Sequence, residues 1–321
     1  MYNQNTFKVI KELKNMYILS IETSCDDTSV AILEDNKVLS CIIKNDSKQL
    51  NPFGGIVPEI VARYHEENII KALDLALQES NISLNQIDKV AYTNQPGLPG
   101  SLFVGEIFAK TMAYALDVEC VPINHIHGHI LSPFINSVPK YPFMSLIASG
   151  KTTSIFLVKS ANEIIELTKT RDDAIGEIFD KVGKALGYDY PAGPKLDKYF
   201  DISKATITPS FPPVKNDFSF SGIKNKFLSI INSSKMKNEE IDTITIGSSF
   251  LKYSIDLIIK KLKYYKDEYS VDCVCIGGGV ANNNYFKQEI KKLFSDSFVP
   301  ESKYSTDNAA MIGFAYYEKN K

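Results

Sequence analysis

Two stretches of this chain repeat one layout: an apolar run, a short polar turn, and a second apolar run. In the first, Tyr17-Ile18-Leu19-Ser20-Ile21-Glu22-Thr23 breaks at Ser24-Cys25-Asp26-Asp27-Thr28-Ser29 and resumes as Val30-Ala31-Ile32-Leu33. In the second, Phe143-Met144-Ser145-Leu146-Ile147-Ala148 turns at Ser149-Gly150-Lys151-Thr152-Thr153 and resumes as Ile155-Phe156-Leu157-Val158. β-rich runs joined by a short polar turn read as hairpins. The same element met twice, each time followed by helical patterns, predicts an α/β chain of two related halves. At roughly 150 residues per domain, 321 residues hold about two. The boundary is placed near Lys140, giving an N-terminal extension over 1–16, one α/β subdomain over 17–140 and another over 141–321.

Further elements follow the same logic. Asp35-Asn36 makes a turn, and Val38 to Ile43 is a third strand candidate. Pro58 to Leu77 carries apolar residues at three- and four-residue spacing and predicts a helix. Val90-Ala91-Tyr92-Thr93 runs as a strand into the loop Asn94 to Ser101, and a helix follows over Leu102 to Ala115. Such a loop lies at the carboxyl end of its strand, where α/β folds place ligands. The second half offers a helix over Asp173 to Leu186 and the loop Tyr190-Pro191-Ala192-Gly193-Pro194. A long helix is expected around Phe250 to Leu262. A buried strand, Val271 to Ile276, ends in Gly277-Gly278-Gly279-Val280-Ala281-Asn282-Asn283-Asn284, and a last helix covers Asp307 to Tyr317.

Composition narrows the function. With 36 Lys+Arg against 38 Asp+Glu the formal charge is −2, so bulk positive charge cannot hold a nucleic acid here, although a local basic strip could. The cysteines Cys25, Cys41, Cys120, Cys273 and Cys275 are odd in number and form no CxxC pair, which predicts a reducing compartment. No run of about 18 apolar residues occurs, so no membrane span is expected. Met1 to Asn15 lacks an apolar signal core and is expected to be a flexible extension. The chain reads as cytoplasmic, or as belonging to an organellar matrix if the source is eukaryotic.

Three of the four histidines, His125, His127 and His129, fall within five residues. On a helix His125 and His129 share a face and can chelate one metal, while His127 lies about 200° away from His125. An exposed polar helix start is the plainer alternative. Ile126 stands where a zincin would place its general-base Glu, so protease chemistry lacks its base. The Gly277 to Asn284 loop lets backbone approach a ligand and offers amide groups for a ribose or base, though half of such glycine runs are only tight turns. Ser149 to Thr153 offers N–H groups, hydroxyls and a cation suited to phosphate, without Walker A spacing. Asp26-Asp27 could hold a metal, or be ordinary turn chemistry. Taken together, these loops suggest the duplicated α/β fold of actin, sugar kinases and Hsp70, with a nucleotide cleft between the halves.

Nine ordered motifs then carry a family resemblance. They are Ile21-Glu22-Thr23-Ser24-Cys25-Asp26-Asp27-Thr28, Gly54-Gly55-Ile56-Val57-Pro58-Glu59, Gln95-Pro96-Gly97-Leu98 with Gly100-Ser101-Leu102, and His125-x-x-Gly128-His129. Next come Gly176-Glu177-Ile178-Phe179-Asp180-Lys181, Tyr190-Pro191-Ala192-Gly193-Pro194, Phe218-Ser219-Phe220-Ser221-Gly222, Gly278-Gly279-Val280-Ala281 and Ser305-Thr306-Asp307-Asn308. From about Ile18 to Tyr317 the chain resembles the tRNA N6-adenosine threonylcarbamoyltransferase family, formerly described as O-sialoglycoprotein endopeptidases. Its Phe-Ser-Phe-Ser-Gly form followed by Ile223-Lys224 is similar to the bacterial and organellar branch.

The resemblance implies a metal held by His125, His129 and Asp307, one divalent ion per chain, Fe2+ first, with Zn2+ or Mg2+ as alternatives. It implies contacts to threonylcarbamoyl-AMP from Asp180, Gly193, Asp197 and Asn283, with Asn282 the neighbouring choice. The turn Ile147, Ala148, Ser149, Gly150 and Lys151 matches a substrate-contacting loop, except that Lys151 replaces a family glycine. The implied activity is acyl transfer to N6 of the adenosine 3′ of the anticodon, in tRNAs reading codons that begin with A. Implied partners are tRNA, a paralogous noncatalytic protein and a small ATPase. A noncatalytic nucleotide- and tRNA-binding scaffold, or a small-molecule kinase of the same fold, are the rival readings.

Overall fold

The computed structural model describes residues 15–45, 57–210, 217–237 and 239–321. The expected extension up to residue 14, and Gly54-Gly55-Ile56 of the second motif, lie outside the described residues.

The first hairpin forms as expected and is the centre of a five-stranded sheet. Strands β1 (Tyr17–Glu22), β2 (Asp27–Glu34), β3 (Lys37–Asn45), β4 (Lys89–Gln95) and β5 (Glu119–Asn124) take the order β3-β2-β1-β4-β5. β1 runs antiparallel to β2, with Ile21 opposite Val30, and parallel to β4, with Ile18 opposite Lys89. The second hairpin seeds a copy: β6 (Phe143–Ala148), β7 (Thr153–Ser160), β8 (Glu163–Lys169), β9 (Cys273–Gly277) and β10 (Asp296–Phe298), in the order β10-β9-β6-β7-β8. β6 is antiparallel to β7 and parallel to β9, so each central strand repeats the other's pairing. Strands β5, β8 and β10 escape the sequence reading for physical reasons. β5 contains Pro122, β8 mixes charges with its apolar residues, and β10 is three residues long; all three are edge strands, where these features are tolerated.

Helices α1 (Pro58–Ser80) and α2 (Pro99–Leu116) cover one face of the first sheet. Ile69, Leu73, Ala109 and Ala113 pack there on Leu19, Ile21, Val30 and Ile32. The short helix α3 (His125–Leu131) follows β5. The second sheet is covered by α4 (Ile175–Ala185), α5 (Gly193–Lys198), α6 (Ser221–Met236), α7 (Thr243–Tyr269) and α8 (Asn284–Leu293). Phe250 of α7 is wholly buried, with the rings of Phe179 and Phe227 edge-on at 5.8 and 5.3 Å.

A third core joins the halves. The last helix, α9 (Ala309–Asn320), belongs in sequence to the second half yet packs on β1 and β2 of the first sheet. It shares a core with Phe134, Phe143, Ile147, Val158 and Cys275. A helix buried nearly all round needs no amphipathic stripe. It starts two residues later than the sequence suggests, because Asn308 is its cap: the extended Asn308 accepts through its side chain from the Met311 amide, at 3.0 Å. Asp307 is thereby left outside the helix.

Gly313 lets α9 settle on the sheet. A Cβ there would stand 2.4 Å from Leu33 Cδ1 and 2.8 Å from Ser20 Oγ. Gly313→Ala is expected to destabilise the fold by about 1–3 kcal/mol through overpacking, more than the roughly 1 kcal/mol gained in helix propensity. The urea midpoint checks this, and one equal to or above wild type would show that helix and sheet separate without cost.

Candidate active site and metal centre

Asn124 starts the histidine helix. Its side-chain oxygen accepts from the amides of Ile126 and His127, at 2.9 and 3.3 Å, which caps α3 and sets the two ligand candidates one turn apart. His125 and His129 then face the same point, their Nε2 atoms 3.1 Å apart. Asp307 comes in from the turn before α9: its Oδ1 lies 3.0 Å from His129 Nε2 and 3.6 Å from His125 Nε2. Ligand atoms of the three residues all fall within 4.8 Å of one another. Three such atoms at these distances need a proton or a cation among them. Two imidazoles and one carboxylate form a donor set that suits a divalent transition metal, and the residues present therefore fit one.

The electrostatics of the group are mutual. Burial favours the neutral form of Asp307, but the hydrogen bond and charge of His129 outweigh it and hold the carboxyl below its ordinary value. Burial likewise disfavours the His125 imidazolium, yet the hydrogen bond and charge of Glu22 raise its pKa. His127 points elsewhere, as the helix geometry requires, and its Nδ1 accepts from Lys319 Nζ at 2.9 Å.

The sequence reading assigned Glu22 no role. It is fully buried at the end of β1, with Oε2 3.0 Å from His125 Nδ1. The Ser24 amide donates to its Oε1 at 2.6 Å, and the Thr93 hydroxyl donates to its Oε2. The available signal was a lone acid closing an otherwise apolar strand. Cys25 is the other omission. Lys151 Nζ donates to its Sγ at 2.9 Å, so the turns of the two hairpins touch across the space between the halves. Burial pushes the Cys25 thiol up to about 11, so it meets the ammonium as a neutral, weak acceptor. Buried His65 anchors the same turn, with Nδ1 2.7 Å from Thr28 Oγ1 and Nε2 3.0 Å from the Cys25 carbonyl.

The loops of the second half converge beside the histidines. Ser149 Oγ accepts from the amides of Lys151 and Thr152, at 3.2 and 3.1 Å, which shapes the turn after Ile147 and Ala148. Gly176, in the first turn of α4, donates its amide to the Ser149 carbonyl at 3.1 Å. Gly278 has φ +92°, and a Cβ on it would lie 2.3 Å from the Ala148 carbonyl oxygen, so only glycine fits against this turn. A Cβ on the neighbouring Gly277 would come 3.9 Å from the His129 carbonyl, which ties the glycine loop to the histidine helix. Gly150 faces open space.

The remaining candidates sit on α4, on α5 and at the start of α8. Asp180 on α4 accepts from the Ala192 amide at 2.8 Å, next to Gly193, which opens α5. Asp197 on α5 accepts from the Asn284 amide and side chain at 2.9 and 2.8 Å, so both carboxylate oxygens are engaged. Asn283 caps α8 by accepting from the Phe286 amide at 2.9 Å, and its buried Nδ2 has no partner among the described residues. Asn282 is exposed.

Comparison with known proteins gives this geometry a context. A family model described as tRNA N6-adenosine threonylcarbamoyltransferase matches residues 37–314. A curated protein of that name from Ureaplasma parvum serovar 3 is 44% identical over 304 residues, covering 94% of this chain and 95% of that one. Among solved structures, full-length HypF in its phosphate- and nucleotide-bound form aligns with a TM-score of 0.63 at 12% identity, over 95% of this chain and 56% of its own. Component A of the Acidaminococcus fermentans (R)-2-hydroxyglutaryl-CoA dehydratase aligns with a TM-score of 0.54 at 14% identity, over 95% and 98%. At such identities these two structures speak to the fold alone, and the fold they share is the duplicated actin-like α/β architecture.

Asp27 supplies a pH-dependent check of the site. Burial pushes its carboxyl up to about 6, against a hydrogen bond from Asn45 Nδ2 at 2.5 Å and with Asp26, Asp307 and Glu22 adding to the rise. Its folded pKa lies above its unfolded one, so the native state binds the proton more tightly. The stability it contributes is full below about pH 4 and is lost as pH rises through 6. The full shift would be worth about 3 kcal/mol, and partial exposure brings the expectation to about 1 kcal/mol. Asp27→Asn should therefore gain on wild type by that amount between pH 4 and pH 7 in urea unfolding, and a pH-independent difference would refute the assignment.

Proposed function

The chain belongs to the tRNA N6-adenosine threonylcarbamoyltransferase family, and we propose that its donor is threonylcarbamoyl-AMP and its acceptor the adenosine 3′ of the anticodon in tRNAs reading codons that begin with A. Threonylcarbamoyl transfer to adenosine N6 of tRNA is the activity of the family. The observation that carries the finer reading is the convergence of His125, His129 and Asp307 beside the turn and glycine loop of the second half.

The chemistry sets the demands. The exocyclic amine is a poor nucleophile because its lone pair is delocalised into the purine ring. It forms a new C–N bond to the carbamoyl carbon, the C–O bond to the phosphate breaks, and AMP departs while the amine loses a proton. His125, His129 and Asp307 would hold one divalent ion, iron in the first instance with zinc or magnesium as alternatives, which when bound supplies Lewis acidity to an acyl or phosphoryl oxygen. Around it, the amides of the Ser149 turn and of the glycine loop orient the adenylate, and the Lys151 ammonium attracts its phosphate. The unpartnered Nδ2 of Asn283, with Asp180, Gly193 and Asp197, would supply the nucleoside side of the cleft. The adenosine must be unstacked from its loop to reach this point. Among the described residues no helix is long and apolar enough to cross a membrane, and a tRNA substrate favours the cytoplasm as the place of action.

A paralogous noncatalytic protein and a small ATPase complete the proposal as partners. Support for the first comes from α2, where Phe103, Ile107 and Tyr114 form one exposed apolar stripe, Tyr114 being 90% accessible. Phe103→Asp is expected to weaken association with the paralogue at least tenfold in sedimentation velocity, with the melting temperature unchanged. Unaltered association would remove this face from consideration.

Transfer is tested by incubating the chain with threonylcarbamoyl-AMP, its partners and tRNA, followed by nucleoside mass spectrometry. Threonylcarbamoylated adenosine is the expected product. His125→Ala and Asp307→Ala should lose bound metal and slow transfer by on the order of 100-fold, equivalent to roughly 2.7 kcal/mol of barrier. Metal loss with undiminished transfer would remove the Lewis-acid role. ATP turnover onto a small acceptor would favour the kinase reading, and binding without transfer, restored by Lys151→Gly, the scaffold.

A further inference from the structure

We propose that Glu22 is the positioning residue of the metal centre: its buried carboxylate grips His125 at Nδ1 so that Nε2 faces a divalent ion. The inference rests on the reading of His125, His129 and Asp307 as metal ligands and extends it to a residue outside the ligand set.

A carboxylate at zero exposure is costly unless donors surround it. Glu22 has three. The Ser24 amide donates to Oε1 at 2.6 Å, the Thr93 hydroxyl donates to Oε2, and His125 Nδ1 lies 3.0 Å from Oε2. These contacts fix the carboxylate at the end of β1 to Thr93 of β4 and to His125 at the start of α3. Its second neighbour, Ser24 Oγ, is 3.1 Å from the same Nδ1, so glutamate and serine bracket one ring nitrogen.

The consequence is a tautomer. With the Nδ1 proton donated to Glu22, a neutral His125 carries its lone pair on Nε2, the atom 3.1 Å from His129 Nε2 and 3.6 Å from Asp307 Oδ1. Carboxylates that hold the far nitrogen of a ligand imidazole fix its orientation and raise its basicity, and their loss commonly weakens metal affinity 10–100-fold. A role confined to tying β1 to β4 through Thr93 would cost stability and leave metal affinity alone.

The test titrates Zn2+, and anaerobically Fe2+, into the full chain by calorimetry, alongside thermal melting without metal. Glu22→Gln keeps the shape and an acceptor oxygen but removes the charge, and it is expected to weaken binding of both ions 10–100-fold. Thr93→Val, which leaves Glu22 and His125 in place, is the second variant in case Glu22→Gln fails to fold, and a several-fold weakening is expected. Nitrogen-15 spectra of the histidines should show the Nδ1–H form of His125 in wild type and a tautomer mixture in Glu22→Gln. Wild-type affinity in the folded variants, or a wild-type His125 protonated at Nε2 instead, would overturn the proposal. A wild-type chain that binds neither ion would overturn the metal reading beneath it, and the His125 tautomer would still report whether Glu22 holds the ring.

Discussion

The position of the site depends on how Ala309 is gripped. Ser20 on β1 donates its hydroxyl to the Ala309 carbonyl at 2.8 Å, and Ser29 on β2 accepts from the Ala309 amide at 2.9 Å. Both serines are fully buried, and both are satisfied by a residue some 280 positions away in the chain. Buried hydroxyls demand partners, which makes this contact specific as well as favourable. It seats the last helix on the first sheet, and Asp307, two residues earlier, is thereby delivered to His129. Without that seat the third candidate ligand would have no reason to approach the other two.

Charge organises the same region. Glu22 is fully buried and Asp307 partly so; burial raises both carboxyls, and the hydrogen bond and charge of a histidine bring each below its ordinary value. The two imidazoles in turn stand Nε2 to Nε2, an arrangement that favours an added cation. Lys151 enters from the opposite half, and its positive charge opposes protonation of His125 while its amine touches the thiol of Cys25. An ammonium here favours binding of anions, and the proposed donor bears a phosphate.

Much of the fold was legible because its signals are local. Hairpins announce themselves by alternation and polar turns, and the repeated layout exposed the duplication directly. His125 and His129 were legible because a seven-residue helix makes their spacing meaningful. Asp307 was reached only through resemblance, since nothing near Ser305 to Asn308 says that the chain has returned to the first sheet. Glu22 was overlooked because burial of a carboxylate is a tertiary fact: in the sequence it looks like the polar end of a strand. The edge strands β5, β8 and β10 were missed for the converse reason, as edges tolerate proline, charge and brevity that a central strand would not.

Net charge first argued against a nucleic-acid substrate. Thirty-six basic side chains against 38 acidic ones leave no long-range attraction for a polyanion, and phosphate neutralisation dominates nucleic-acid affinity. Several lysines are spent locally as well: Lys181 and Lys224 on Asp173, Lys195 on Asp189 and Lys266 on Asp272. Net charge gives this chain no grip on tRNA, and the exposed apolar stripe of α2 is the surface on which the proposed partner would add one. The proposed division of labour has a physical rationale. A preorganised acyl-transfer centre needs rigid carboxylates, histidines and glycine turns set to within fractions of an ångström, whereas holding a polyanion needs only charge, which an assembled partner can supply without disturbing that geometry.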